Sequence, residues 1–289
     1  MNRKMNITRK NRLKDKAFKY IGLLSTFVGL VALAVFVFII LQTGLPRLSW
    51  DFITSLPSRF PERAGIYTAL IGTLWMLVLT IIFSVTLGVS AGIYLEEYSK
   101  KGLLSRLLEI NISNLVGVPS VIYGILGLAF FNRYLSLGGS LLAGSLTLSL
   151  LIIPVIVVTT RESLKAVPRT IKEAAYALGA TKWQTISRQL LPAASGSIVT
   201  GVILALARAI GEAAPLIVVG ALSFVPFTPR TPMDDYTLLP IQIFNWTSRP
   251  QPEFQINASA GIIVLLFITF LMNGISIYLR NKWQKKVKW

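Results

Sequence analysis

Arg208 and Glu212 stand four residues apart in a stretch otherwise built of small and aliphatic residues, Ala205 to Pro215. On a helix, that spacing sets both side chains one turn apart on the same face. Counting from Pro192 at about 1.5 Å per residue brings Arg208 near the middle of an apolar run long enough to cross a bilayer. An arginine exposed to lipid at that depth costs about 2.5–3.5 kcal/mol, so the side chain should face protein or water and find an anion, for which Glu212 is nearest. A guanidinium offers a planar fork matched to tetrahedral oxyanions and stays charged at every physiological pH. Two readings follow. In one, Arg208 gives a passing oxyanion a transient partner while Glu212 competes for the same guanidinium, which keeps exit easy. In the other, the two groups form a permanent ion pair that locks this span to its neighbours. Ala205, Ala207, Ala209, Gly211, Ala213 and Ala214 permit either a close helix approach or a narrow aqueous gap, and Pro215 bends what comes after.

Just upstream, residues 161–193 form a basic segment that parses as two short amphipathic helices. Pro168 suits a first helical position, where its missing N–H has no partner to lose. Ile171, Ala174, Ala175 and Leu178 then recur at helical spacing. Gly179 is the stop, because without a Cβ it turns left-handed at little cost. Thr181 with Gln184 spells a capping box for the second helix, whose apolar stripe is Trp183, Ile186 and Leu190. Pro192 opens the next apolar run.

These constellations need a membrane to hold them. The 289 residues are 53% hydrophobic and 14% charged, outside the range of ordinary soluble domains. Six stretches reach the roughly 20 apolar residues that a 30 Å hydrocarbon core demands. They lie near 21–42, 68–94, 111–131, 140–160, 196–222 and 258–279. The formal charge of +17 invites a nucleic-acid reading, but its distribution argues against one. The N-terminal tail holds eight Lys/Arg, the loop after the second span three, the Glu173 segment six and the C-terminal tail five, whereas the alternate loops hold six between them. Lys and Arg are retained on the cytoplasmic side during insertion, so both termini and the Glu173 segment are expected there. The first apolar run reads as a retained anchor rather than a cleaved signal. Basic tail residues such as Arg3, Lys4 and Lys19 orient the chain and suit anionic membrane lipid.

The divisions expected are a basic tail 1–20, an anchor helix with its outer loop 21–60, a core 61–280 and a basic tail 281–289. In the third span, Gly117, Pro119, Gly124 and Gly127 suit both a broken helix lining a pathway and close packing through small residues. The outward loop before the last span carries Pro226, Pro229, Pro232, Pro240, Pro250 and Pro252, with Asp234, Asp235, Phe244 and Trp246 among them. That proline density predicts a stiff loop without regular structure. The chain has neither cysteine nor histidine, so disulfides and the usual zinc, haem and iron–sulfur ligand sets are excluded, and no metal or cofactor is expected. It has no G-x-x-x-x-G-K-[ST] loop, so any ATP that drives it binds another subunit, and no enzyme activity of its own is expected.

Glu173-Ala174-Ala175, then Gly179, then Leu191-Pro192, resembles the EAA loop of ABC-importer permeases, with Gln189 standing where that pattern prefers Ile. Gly65-Ile66, Ile71-Gly72-Thr73-Leu74, Ala91 to Tyr98, Asn114 to Ser120 and Ala207 to Glu212 together resemble the PstA-type permeases of phosphate ABC transporters, from about residue 60 to 250. Thr86 departs from the proline frequent in that family. The resemblance implies an all-α integral membrane protein of the MetI-like, type I importer fold, with six transmembrane helices and cytoplasmic coupling helices. It implies a substrate path at Arg208 and Glu212, and ATPase coupling through Glu173, Ala174, Ala175, Gly179, Leu191 and Pro192. It also implies three partners: a PstC-like permease, a PstB-like ATPase dimer and a PstS-like phosphate-binding protein on the outer face. Sulfate, molybdate or phosphonate as substrate, a carrier that needs no ATPase, and a membrane sensor or scaffold stay open as alternatives.

Overall fold

The computed structural model describes residues 2–100, 102–221 and 224–284, with side chains from 14 to 282. Among these the chain is helical, with a single bridge between Ser140 and Asp235 and no strand. Twelve α-helices follow in order: α1 (Asn2–Gly44), α2 (Trp50–Thr54), α3 (Tyr67–Ile93), α4 (Leu103–Leu115), α5 (Ser120–Gly127), α6 (Leu141–Lys165), α7 (Arg169–Ala177), α8 (Lys182–Thr185), α9 (Leu191–Ile210), α10 (Ala214–Val219), α11 (Leu239–Thr247) and α12 (Glu253–Gln284). Single π-helical turns extend α3 over Tyr94–Tyr98, extend α5 over Leu128–Tyr134, and join α8 to α9 over Ile186–Leu190. Five of the resulting rods are long and apolar enough to cross a membrane, and the pair α4 with α5, bent by 104°, supplies a sixth crossing when taken as one span.

Spans one, two, four and six fall where hydropathy places them, with spans two and four longer by about one turn at their C-terminal ends and spans one and six longer at both ends. The basic N-terminal tail continues α1 rather than standing apart, and the C-terminal tail 285–289 lies outside the described residues. The third and fifth spans differ from expectation. The third is the bent pair, broken at Val116–Pro119, because Pro119 cannot donate into a helical ladder and disfavours helical backbone in the residue before it. Beyond the break Gly124 and Gly127 also pack closely, so the broken helix and the small-residue packing occur together. A Cβ on Gly124 would sit 2.8 Å from the Pro215 backbone of α10, which leaves α5 and α10 in direct backbone contact. Gly124→Ala is therefore expected to destabilise the fold by about 1–3 kcal/mol, seen as a lower thermal midpoint in detergent, because backbone cannot move aside as a side-chain tip can.

The fifth span is one continuous rod from Lys182 to Ile210 that carries Leu191-Pro192 in its interior, so the apolar run that Pro192 opens continues a helix already begun at Lys182. The π-helical turn at Ile186–Leu190 lies in the turn before Pro192, where the ladder loses a donor in any case. The rod stops at Ile210. Residues Gly211–Ala213 break it, and α10 resumes with Pro215 in its first turn.

The loop before the last span is more ordered than its prolines suggest. Pro240 sits in the first turn of α11, a position that needs no N–H, and the Leu239 N–H donates to Thr73 Oγ1 at 3.0 Å. Trp246 is fully buried between Phe52 and Phe254, while Phe244 faces outward. The carbonyls of Asp234 and Pro232 accept from the Leu141 and Leu142 N–H groups, satisfying the exposed start of α6. The Asp234 carboxylate accepts from Thr231 Oγ1 at 2.7 Å, Thr231 N at 2.9 Å and Arg230 N at 2.7 Å. Those bonds, the Thr231 hydroxyl first, hold its pKa below the ordinary 3.8. A depressed carboxyl stabilises the turn above its ordinary pKa and loses that effect as pH falls through the lowered value. Thr231→Val is expected to move the Asp234 titration upward toward the ordinary range, read by NMR of the carboxyl carbon.

Candidate functional site: a mid-span arginine and a basic elbow

Arg208 lies in the last turn of the long α8–α9 rod. Beneath it is a small cleft of about 20 Å³, lined by Leu151, Ile152 and Val155 of α6, Ala205 and Ala209 of α9, and Val116 and Val118 at the break of the bent span. Residues 151–155 are the midpoint of α6, which runs from Leu141 to Lys165, so Arg208 stands beside the middle of that helix. Glu212 lies beyond the helix end rather than one turn along it. Its carboxylate still reaches the guanidinium, with Nε to Oε1 at 3.9 Å. That separation exceeds a hydrogen bond. The Arg208 side chain is 65% exposed in the isolated chain and that of Glu212 22%. The guanidinium therefore keeps most of its donors free, while one carboxylate remains near enough to compete for it.

The second site is the elbow. Pro168 ends up just before the first turn of α7 rather than inside it. Gly179 takes φ +79°, the left-handed conformation that the Gly stop requires. The capping box of Thr181 and Gln184 is present: the Gln184 N–H donates to Thr181 Oγ1 at 3.3 Å and the Thr181 N–H donates to Gln184 Oε1 at 2.8 Å. Ile186 and Leu190 are buried against Leu164, Val167 and Ala194, and pin the elbow to α6 and α9; Ala175 is buried in α7. Ile171 is half-buried against that core, and the remaining apolar residues of the two stripes are not part of it. Leu178 is 89% exposed and Trp183 58%, and Tyr176, Ala174 and Glu173 face outward with them. The apolar spacing mixed an inner set with an outer one, because a short helix against a rod buries only about one residue per turn. Gln189 is exposed as well, so its departure from Ile removes no contact within this chain. Leu191 is half-buried and Pro192 exposed on the rod. Among the described residues Glu173 makes no ion pair.

One group of functional candidates escaped the sequence reading. Arg161 on α6 pairs with Glu96 at the end of α3, Nε to Oε2 at 3.5 Å, and its Nη2 donates to Glu109 of α4 at 2.6 Å. Lys172 on α7 pairs with Glu97. Charges spread over some 75 residues of chain carry no spacing signal that local periodicity can detect.

Five apolar rods and a bent pair, an arginine beside the middle of α6 and a basic elbow with an outward apolar face describe a helical membrane-spanning subunit. The chain belongs to the family described as binding-protein-dependent transport system inner membrane component, whose pattern matches residues 84–285. It is thus a multi-pass membrane permease subunit of an ABC importer. It is 33% identical to the phosphate transport system permease protein PstA of Haemophilus influenzae, with 90% of this chain and 91% of that protein covered. It is 31% identical to PstA of Pasteurella multocida, over 91% and 92%. It is 29% identical to the probable ABC transporter permease protein YqgI of Bacillus subtilis, over 96% and 98%. Among solved structures it resembles a bacterial ABC transporter involved in import of the acidic polysaccharide alginate, with TM-score 0.67 at 18% identity over 93% of this chain and 98% of that one. It also resembles the inward-facing MetNI methionine ABC transporter, with TM-score 0.62 at 18% identity over 75% and 97%. These two likenesses bear on the fold alone.

Proposed function

We infer that this permease carries inorganic phosphate inward, forming the path with a related PstC-like permease, driven by a PstB-like ATPase pair and loaded by a PstS-like binding protein. Relatives at 31–33% identity over nine-tenths of the chain are named as phosphate permeases, and this supports the choice among oxyanions. The observation that carries the mechanism is the continuous rod from Lys182 to Ile210, which starts inside the elbow and ends at Arg208. A displacement applied to the elbow reaches the Arg208 guanidinium along a single continuous rod. The outward Leu178, Trp183 and Glu173 present the face that would seat in a groove of the ATPase, with the elbow and both termini cytoplasmic. A shift between inward and outward states requires differential affinity, which the nucleotide-loaded ATPase pair supplies. Arg208 receives phosphate with its free donors, and Glu212 draws on the same guanidinium so that the anion leaves. The test is reconstitution of the chain with its partner subunits and measurement of ATP-dependent uptake of labelled phosphate against labelled sulfate. Preference for phosphate supports the reading, and equal or greater sulfate uptake refutes it.

A further inference from the structure

The elbow touches two of the core spans through the chain itself: α6 leads into it through Ala166–Pro168, and α8 continues into α9. The span α3 has no such link, yet its inner end is gripped from both limbs of the elbow. Lys172 of α7 pairs with the Glu97 carboxylate, and Lys182, the first residue of α8, holds its Nζ 4.6 Å above the Tyr98 ring. Glu97 and Tyr98 are neighbours in one π-helical turn, Tyr94–Tyr98, a local widening that proteins place at functional positions. The Glu97 side chain is only 6% exposed, so its carboxylate depends on that one ammonium. Apolar packing holds α3 and α7 to a common core of α6 and α9 through Ile93 and Ile171, but a cleft of about 470 Å³ with charged walls lies between the π-helical turn and the start of α7. Glu96, next in sequence, is held instead by Arg161 and Lys165 of α6, at 3.5 Å and 3.9 Å.

Resting on the reading that the elbow receives the ATPase, we propose that Lys172 and Glu97, backed by Lys182 on Tyr98, form the coupling contact that transmits elbow motion to α3. The α8–α9 rod then moves Arg208 while the ion pair moves α3, whose Thr73, Met76 and Thr80 line an apolar cavity with Leu206, Ala209 and Ile210 of α9, so both helices respond to one input. Lys172 and Glu97 are positioning residues that touch no substrate. A static brace would make the same contacts but would not control how much phosphate moves per ATP.

Lys172→Met, Glu97→Gln and the charge exchange K172E/E97K are each assembled with the ATPase and the second permease, and ATP hydrolysis is measured together with labelled phosphate uptake. In the single variants, hydrolysis is expected to stay within twofold of wild type while phosphate carried per ATP falls at least tenfold. The exchange should recover that ratio to within threefold. Wild-type phosphate per ATP in either single variant overturns the proposal, as does a low ratio persisting in the exchange. A wild-type complex that hydrolyses ATP yet carries no phosphate faults the substrate reading instead, and a second readout then decides. Spin labels at Leu87→Cys on α3 and Tyr278→Cys on α12, both exposed, report α3 motion in a chain that lacks native cysteine. A non-hydrolysable ATP analogue is expected to shift their separation in the native background and not with Glu97→Gln. A shift retained in Glu97→Gln overturns the proposal whatever the substrate.

Discussion

Arg208→Lys is expected to lower phosphate uptake by the assembled importer about tenfold or more, even though the charge is kept. Hydrogen bonds to charged groups contribute roughly 1.5–3 kcal/mol each, which corresponds to about 10- to 150-fold when one is lost or misaligned. Lysine keeps a point charge but lacks the planar fork that grips two oxygens of a tetrahedral anion at once. The geometry separates this from a structural ion pair: the single approach to Glu212 is 3.9 Å and most of the guanidinium is unengaged. A lysine could hold such a loose pair without loss. Unchanged uptake by Arg208→Lys would therefore remove Arg208 from the path and leave it a structural role. Glu212→Gln complements the test, since removing the competitor should tighten phosphate retention and slow release, lowering KM and kcat together.

The second large effect is expected at the elbow, where Gly179→Val should leave ATP hydrolysis running while uptake collapses. A non-glycine residue forced into the left-handed conformation costs about 1–2 kcal/mol, and a β-branched one is a sharper misfit. Nothing lies within 4 Å of a Cβ added at Gly179, so any failure reports the backbone turn and not crowding. Gly179→Asn, which tolerates that conformation, should keep most of the coupling. Glu173→Ala probes the contact face instead of the turn. Because Glu173 is exposed and makes no ion pair among the described residues, the variant should fold normally and still uncouple hydrolysis from uptake. Normal phosphate per ATP in both Gly179→Val and Glu173→Ala would defeat the assignment of the elbow as the coupling contact.

The sequence made much of this visible because membrane crossing and helix ends are local properties. Twenty apolar residues in a row, the Gly179 stop and the Thr181–Gln184 box each depend on a few adjacent residues, and all three match the structure. What escaped depended on neighbours distant in sequence. Hydropathy merged α9 and α10 into one span, since the break at Gly211–Ala213 is as apolar as its flanks apart from Glu212. Prolines between residues 226 and 252 suggested irregular chain, whereas Pro240 begins a buried helix, because proline ends helices only from within. Leu178 and Trp183 matched the apolar period but face outward, and no single-chain period can distinguish a side chain for this core from one for a partner's groove. The Arg161, Glu96 and Glu109 cluster, and the Lys172 pair with Glu97, exist only once four helices converge.

One measurement tests the coupling assignment most directly. The chain has no native cysteine, so Leu178→Cys places a unique thiol on the most exposed apolar residue of the elbow. Membrane-impermeant maleimide should label it in inside-out vesicles stripped of the ATPase, should not label it in right-side-out vesicles, and should lose access when the ATPase is added back. Labelling from the outer face, or labelling that the ATPase leaves untouched, would contradict the account.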